Sequence, residues 1–168
     1  MSKLYIITGP AGVGKSTISR GIADSLEKSF LIEGDDLYNM VQGGYVSPWL
    51  EGNHLELLWK NSFSLIRNAL SEGFDVVFNY IIEKDSLESI RKEFSDVDAK
   101  FIVLMVDEKT IVERDKLRPL DCQMGERSLV LLRELKEENF DEKFILDTSH
   151  LSIEETINEV MKNDRFRL

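Results

Sequence analysis

The fold of this chain is decided by the stretch Gly9-Pro10-Ala11-Gly12-Val13-Gly14-Lys15-Ser16-Thr17. Its pattern G-x-x-x-x-G-K-S is that of a glycine-rich phosphate-binding loop, or P-loop. The apolar run 4–8 before the loop predicts a buried strand, and the apolar period of 16–26 after it predicts a helix. Free amide N–H groups and the helix dipole make that helix N-terminus an anion site. The dinucleotide fingerprint G-x-G-x-x-G fits poorly, because these glycines are spaced G-x-x-G-x-G.

The composition is that of an ordinary globular protein. The chain has 168 residues, 42% of them hydrophobic and 31% charged, which favours a single domain over 1–168. A formal net charge of −10 argues against a long nucleic acid as a partner. The single cysteine, Cys122, cannot form an internal disulfide, and no apolar run approaches the roughly 20 residues that span a bilayer. With the first strand leaving no room for a signal peptide, we expect a cytoplasmic protein without a membrane partner, either a monomer or a small homo-oligomer.

Predicted strands and helices alternate along the chain. Four more apolar runs predict strands, at 30–33, 74–82, 101–106 and 143–146. Glycines and a proline predict an irregular segment over 37–52. Helix starts are indicated by three candidate capping boxes and one single cap, namely Asn53 with Glu56, Asp85 with Glu88, Ser152 with Glu155, and Asp107. This alternation predicts an α/β fold with a five-stranded parallel sheet covered by helices on both faces.

In such sheets, ligands bind beyond the carboxyl ends of the strands. Of the residues at these ends, Lys15 is expected to reach the β- and γ-phosphates of ATP as a fixed positive charge, and Ser16 to place its hydroxyl on Mg²⁺. The whole loop 9–17 is the predicted cofactor-binding segment. Lys15 is also a predicted catalytic residue, because charge accumulates on the transferred phosphoryl group.

Two adjacent aspartates follow the second predicted strand. Asp35 and Asp36 cannot both point the same way on an extended chain. A carboxylate beside the phosphate loop is well placed to accept the proton of an attacking hydroxyl and to orient its oxygen. Asp35 is therefore a candidate catalytic, substrate and metal residue, and Asp36 a weaker substrate candidate. The alternative is that both are ordinary loop aspartates.

Arginines flank a loop that contains Pro119 and Gly125. Arg114 and Arg118 are spaced i, i+4, which places them on one face of the helix predicted to end near residue 117, and Arg127 follows the loop. Guanidinium groups there can close over a triphosphate and stabilise transition-state charge. The alternative is a pair of surface arginines that answer neighbouring carboxylates.

A metal-binding aspartate is missing from the end of the third predicted strand. Many P-loop enzymes carry one there, but this strand leads through Asn79-Tyr80. Any Mg²⁺ would be held by Ser16, water and Asp35. A hydrolase or a motor is harder to build from this set.

These residues together resemble the small-molecule kinase branch of the P-loop fold, represented by chloramphenicol phosphotransferase, gluconate kinase and shikimate kinase, and more distantly by adenylate kinase. The resemblance is carried by the loop 9–17, by Gly34-Asp35-Asp36-Leu37, by the arginine-bearing segment 114–127, and by Asp147-Thr148-Ser149. It implies a strand order of 2-3-1-4-5, a mobile lid over about 114–127, and Asp35 as the base or as the group that orients the acceptor. It also implies adenine packing near Arg114 and the loop that carries Thr148.

The predicted acceptor region, about 36–72, is rich in aromatic residues and poor in basic ones. Between Gly34 and Asp75 the basic residues are Lys60 and Arg67, whereas a nucleoside monophosphate normally needs arginines. A neutral, partly apolar or ring-bearing acceptor with a hydroxyl fits better. A sugar acid stays open if Lys84 or Arg20 reaches the site. The predicted substrate residues are Asp35, Asp36, Trp49, Asn79, Tyr80 and Arg127, whereas Trp59 and Phe63 are expected in the helix core.

The sequence thus predicts an ATP- and Mg²⁺-dependent kinase that acts on the hydroxyl of a sugar acid, metabolite or antibiotic. A nucleotide kinase is the alternative within enzymes. A non-catalytic ATP-binding regulatory module is the alternative of a different class.

Overall fold

A computed structural model describes residues 2–120 and 123–168 of the chain. Cys122 and part of the predicted lid therefore lie outside the described residues. The strands are β1 (Lys3–Thr8), β2 (Ser29–Glu33), β3 (Asp75–Asn79), β4 (Asp98–Met105) and β5 (Ile145–Asp147). The helices are α1 (Lys15–Ser25), α2 (Gly34–Tyr38), α3 (Leu55–Ser71), α4 (Lys84–Glu93), α5 (Glu108–Lys116), α6 (Glu126–Glu137) and α7 (Ile153–Lys162).

The five strands form one parallel sheet in the order β2-β3-β1-β4-β5, which confirms the predicted order. The central strand β1 pairs with β3 and with β4. Its register places Ile7 opposite Asn79, and β3 in turn places Asn79 opposite Glu33. The carboxyl ends of β1, β2 and β3 therefore meet at one edge, directly beside the phosphate loop that follows β1.

Helices cover the two faces of the sheet. The connection through α1 runs from β1 outward to β2, whereas the connection through α3 runs back from β2 to β3, and right-handed crossovers place these helices on opposite faces. On the first face α1 packs against α7. On the other, Phe63 of α3 meets Phe94, which follows α4, with ring centroids 5.5 Å apart. Within the described residues, no helix combines the length and the apolar character needed to cross a membrane.

Several predicted element boundaries are wrong, although the elements exist. The third strand ends at Asn79 rather than at residue 82, and the fifth begins at Ile145 because 142–144 form a 3₁₀ turn. The short helix α2 (Gly34–Tyr38) was not predicted, and it extends over the first two residues of the segment 37–52 that was predicted to be irregular. Apolar residues beyond β3 suggested a longer strand, but Tyr80 and Ile81 line a cleft instead.

Two of the predicted capping boxes are also wrong. Helix α3 is preceded by His54, and Asn53 makes only a local turn to the N–H of Leu55 at 3.1 Å. Helix α4 is preceded by Glu83 and has no side-chain cap. The cap by Asp107 and the box at 152–155 are confirmed.

Candidate functional site

The phosphate loop depends on its glycines. Gly12 and Gly14 have φ angles of +85° and +107°, in the region that side chains rarely adopt, and Gly14 directly precedes the first residue of α1. A Cβ atom on Gly9 would lie 2.7 Å from the carbonyl oxygen of Leu104 and 2.9 Å from a methyl group of Val13. The loop therefore packs tightly onto β4 while its amide groups face outward at the start of α1.

A cavity of about 570 Å³ opens in front of this loop. The loop and the start of α1 supply one wall, Asp35 a second, and α5 with the chain after β5 a third. The lining outside the loop is formed by Asp35, Ile81, Arg114, Leu117, Arg118, Thr148, Leu151, Ile153 and Thr156. One end of the cavity is thus rich in N–H groups and positive charge, and the other end is apolar.

Lys15 is held back against its own loop. Its Nζ donates to the carbonyl oxygens of Gly9 at 2.9 Å and Pro10 at 3.1 Å. Burial lowers the pKa of Lys15 to about 8, with Asp35 and Glu33 opposing the shift and Arg118 adding to it. The ammonium group is therefore poorly solvated, and a phosphate bound beside it would stabilise its charged form.

Ser16 has a carboxylate partner that sequence reasoning missed. Its hydroxyl donates to Oε2 of Glu33 at 2.8 Å, and the other oxygen of Glu33 lies 3.4 Å from Arg20. Glu33 is the last residue of β2, and its position at the carboxyl end of a predicted strand is the signal by which it could have been found. Across residues 2–120 and 123–168 no cluster of three or more His, Cys, Asp or Glu forms a metal cage. The oxygen donors of Ser16 and Glu33 nevertheless suit Mg²⁺, which usually keeps several waters and phosphate ligands.

The structure separates the two adjacent aspartates. They lie in the short helix α2 rather than on an extended chain, so their side chains diverge by the helical twist. Asp35 lines the large cavity and also a neighbouring smaller one, whereas Asp36 lines neither. The walls of the cleft displace water and raise the pKa of Asp35, an effect that Lys15 opposes.

Arg114 is bonded to the protein on both sides of the cavity. Its Nη1 donates to the carbonyl oxygen of Val13 at 2.7 Å and to the hydroxyl of Thr148 at 3.1 Å, and its Nη2 donates to the carbonyl oxygen of Thr148 at 2.8 Å. Arg114 thus ties the phosphate loop to the chain after β5. Its guanidinium plane borders the cavity that the nucleotide is predicted to occupy.

Arg118 does not belong to a helical arginine pair. Helix α5 ends at Lys116, and Arg118 follows in a turn, so the predicted i, i+4 face with Arg114 is wrong. Its Nη1 lies 3.3 Å from Oδ1 of Asp115. The buried Asp115 also accepts from the N–H groups of Met124 and Gly125 at 2.8–3.0 Å. Burial by itself would raise the pKa of Asp115. These hydrogen bonds outweigh that effect and lower the pKa below its usual value.

Asp115 therefore anchors the described part of the lid segment. No feature of the sequence predicted this role. Several carboxylates surround the arginines in the sequence, and nothing in their spacing shows which one the fold buries. Arg118 itself is half-buried and lines the large cavity beside the phosphate loop.

The smaller cavity, of about 300 Å³, lies on the other side of Asp35. Besides Asp35, three predicted substrate residues line it, namely Trp49, Tyr80 and Arg127. Trp49 is 75% exposed and Arg127 lies 3.9 Å from Glu134. Trp59, expected in the core, packs on Phe78 and also lines this cavity.

Asn79 and Tyr80 take different positions. Asn79 is buried, lines neither cavity, and its Nδ2 has no hydrogen-bond partner in the part of the chain that the structure describes. Tyr80 lies across Gly34, where a Cβ atom would come within 2.6 Å of its ring. Gly34 is therefore needed for Tyr80 to pack at the base of the smaller cavity.

The fold and the phosphate loop define a nucleotide-binding P-loop protein with the architecture of the kinase branch. The chain belongs to the AAA domain family, whose sequence pattern matches residues 4–139. No curated protein sequence matches the chain significantly.

Solved structures of two kinases and of a resistance protein share the fold at low sequence identity. A sugar kinase from Janibacter sp. HTCC2649 is 16% identical with a TM-score of 0.74, over 96% of this chain and 93% of that one. A gluconokinase from Sinorhizobium meliloti 1021 is 20% identical with a TM-score of 0.61, over 94% and 89%. The tunicamycin resistance protein of Deinococcus radiodurans is 19% identical with a TM-score of 0.63, over 95% and 94%. At these identities the likeness concerns the fold.

Proposed function

We propose that this protein is an ATP-dependent kinase that transfers the γ-phosphate to a hydroxyl of a small molecule, in the range of a sugar acid, metabolite or antibiotic. The observation that carries the proposal is the position of Asp35. It lines both the large cavity in front of the phosphate loop, called the phosphate cavity from here on, and the smaller cavity. A carboxylate shared by two adjoining cavities suits a reaction that joins a phosphate from one to a hydroxyl in the other.

The larger cavity has the polarity that ATP requires. The phosphates would lie on the amides of 11–17, beside Lys15 and Arg118. The base would occupy the apolar end near Leu117, Leu151 and Ile153, with the Arg114 guanidinium beside it. Ser16 and Glu33 would hold Mg²⁺, which supplies charge neutralisation on the phosphate oxygens when bound.

The chemical step is an in-line displacement. Asp35 accepts the proton of the acceptor hydroxyl and orients its oxygen toward the γ-phosphorus. As the new O–P bond forms, the bond between the γ-phosphorus and the bridging oxygen breaks and ADP leaves with the electron pair. Lys15 and Arg118 stabilise the negative charge that spreads over the transferred group.

The nucleotide-kinase alternative is weakened by where the basic residues lie. Lys60 bonds to Glu56 at 2.6 Å, and Arg67 bonds to Glu93 and Asp96. Neither lines the smaller cavity, so they do not form a phosphate clamp for a nucleoside monophosphate.

Asp35→Asn, compared with Asp36→Asn, tests the proposal. Coupled detection of ADP with a broad panel of hydroxyl compounds should show a loss of about 10² to 10⁴ in rate for Asp35→Asn, because a general base is removed. ATP affinity, measured by calorimetry, should stay within about threefold, since no phosphate contact is lost. Asp36→Asn should keep its activity. If no compound stimulates ADP release by the unaltered protein, the non-catalytic binding module becomes the better reading.

A further inference from the structure

The charged groups that line the smaller cavity are mainly negative, whereas those that line the phosphate cavity beside it are mainly positive. Its lining residues, all from the described part of the chain, include four carboxylates and one guanidinium. The carboxylates are Asp35, Glu83, Glu134 and Glu138, and the guanidinium is that of Arg127. The phosphate cavity beside it has the opposite balance, with Lys15, Arg114 and Arg118 against Asp35.

The one cation in the smaller cavity already faces a carboxylate. Arg127 lies 3.9 Å from Glu134, and Glu138 accepts the backbone N–H of Lys84 at 2.7 Å. Among the described residues, no hydrogen bond or ion pair reaches the side-chain carboxylates of Asp35 and Glu83, although their backbone carbonyl groups accept from Asn39 and Ser86. The cavity therefore presents more negative charge than its own cation can answer.

Basic side chains that were candidates for an anionic acceptor are occupied elsewhere. Lys84 donates its Nζ to the carbonyl oxygen of Asn139 at 3.0 Å, and Arg20 lies beside Glu33 at 3.4 Å. Neither lines the smaller cavity. A carboxylate or phosphate on the acceptor would thus meet four carboxylates and a single guanidinium, that of Arg127, which already faces Glu134. This excess of like charge costs binding free energy.

The walls of the smaller cavity are aromatic and aliphatic. Trp49, Trp59 and Tyr80 contribute rings, and Leu55 and Leu131 contribute methyl groups. The rings of Trp59 and Tyr80 pack edge to face at 6.0 Å. Burial, followed by the charge of Asp35, raises the pKa of Tyr80, and Glu83 adds a smaller contribution. Aromatic faces also attract cations.

We propose that the acceptor is a ring-bearing or otherwise apolar alcohol that carries a protonated amine, and that the cavity discriminates against anionic acceptors. This inference rests on the proposed function in that it takes the smaller cavity as the acceptor site. The apolar body would fill the space between the tryptophans, and the ammonium group would lie near Glu83 and Glu134. The hydroxyl would then face Asp35 at the boundary with the phosphate cavity.

Tryptophan fluorescence provides a direct binding test, because Trp49 and Trp59 are the two tryptophans of the chain and both line this cavity. The probes are phenylethanolamine, its isostere in which a methyl group replaces the ammonium, and its isostere in which a carboxylate replaces the ammonium. We expect the ammonium compound to bind at least about tenfold more tightly than the carboxylate compound at low salt, and less so at high salt. The unaltered protein without nucleotide is used, so no phosphoryl transfer is needed.

Variants assign the preference to named residues. The double variant Glu83→Gln with Glu134→Gln should reduce the tenfold preference to about threefold or less. Glu137→Gln is the matched control, because Glu137 is an exposed carboxylate of α6 that does not line the cavity. Equal or tighter binding of the carboxylate compound, no binding of any probe, or an unchanged preference in the double variant would overturn the inference.

The two proposals fail in different ways. The ammonium compound could bind with the expected preference while no amino alcohol stimulates ADP release by the protein. In that case the inferred ligand class stands and the kinase function fails. If ADP release is stimulated by sugar acids and not by amino alcohols, the kinase function stands and the inferred acceptor class is wrong.

Discussion

The two cavities that meet at Asp35 are built in opposite ways. The phosphate cavity is formed largely by one continuous stretch, 11–18, whose backbone amides and Lys15 make it positive. The smaller cavity is assembled from several separate segments, and it is negative and aromatic. Its lining comes from α2, the segment before α3, α3 itself, the chain after β3, α4 and α6. Asp35 and Ile81 line both cavities, and Asp35 is the charged residue of the two.

This difference shows which half of the site is fixed and which is adaptable. A phosphate is recognised by backbone geometry, so the loop tolerates few changes wherever its glycines hold left-handed φ angles. An acceptor is recognised by side chains, which can be exchanged without altering the fold. We therefore expect substitutions to act on one cavity and spare the other.

The largest effect should come from Lys15→Ala. We expect kcat/KM to fall by about 10³-fold or more, because a charge aimed at the transferred phosphate is lost. Binding of an acceptor probe, followed by tryptophan fluorescence, should not change. Lys60→Ala, at an exposed lysine of α3, is the control. Normal turnover by Lys15→Ala would refute the assignment of the phosphate loop.

Arg118→Ala should have the next largest effect. We expect kcat to fall by about 10²-fold with ATP affinity changed by less than about threefold, since the guanidinium acts mainly on transition-state charge. Asp115→Asn should show part of this loss, because Asp115 holds Arg118 and the backbone of 124–125.

Steady-state kinetics and calorimetry separate the two quantities for Arg118. Arg133→Ala is the matched control, since Arg133 pairs with Glu108 at 3.0 Å, away from the cavity. Equal losses in rate and in ATP affinity would instead indicate a clamp on the bound nucleotide.

Nucleotide affinity should depend on pH through Lys15, whose pKa is lowered to about 8 by burial. Bound phosphates favour the charged lysine and raise this pKa, so the complex holds a proton that the free protein loses above pH 8. Affinity should thus be constant below that pH and fall by up to about tenfold per pH unit above it.

Calorimetry in two buffers of different ionisation enthalpy should detect the matching proton uptake near pH 8. The Lys15→Arg variant keeps its charge and should bind without proton uptake. Constant affinity across this range in the unaltered protein would show that Lys15 stays charged in the free state.

The smallest effect tests the base of the acceptor side. Gly34→Ala places a Cβ atom 2.6 Å from the ring of Tyr80, so we expect the free energy of unfolding to fall by about 1–3 kcal/mol. Gly43→Ala is the matched control, because no atom lies within 4 Å of its Cβ position. Urea denaturation measures both. Equal stability of the two variants would mean that Tyr80 moves aside freely.

Much of the fold was predictable because its signals are local. The apolar runs and the phosphate loop predicted five strands. The resemblance to the small-molecule kinase branch predicted the order of those strands in the sheet. The failures came where a distant residue decides. Asp85 is a good helix cap in the sequence, but α4 begins earlier, at Lys84, where Glu138 accepts the N–H of Lys84.

The candidate site divides in the same way. The placement of Lys15, Ser16 and Asp35 around one cavity follows from their position at strand ends. The anchoring role of Asp115 does not, because only burial distinguishes it from the carboxylates around it. The contribution of Glu83 and Glu134 to the smaller cavity required the packing of α4 and α6 to be known.

The sequence by itself determined the phosphate loop and the alternation of strands and helices, since both depend on residues close together in the chain. Only the tertiary structure decided which aspartate lines both cavities, which carboxylate anchors the described part of the segment 114–127, and which charges line the smaller cavity. Those properties arise where segments far apart in the chain meet and displace water. Burial distinguishes Asp115 in this way, whereas Asp35, Glu83 and Glu134 are distinguished by the cavities that they line.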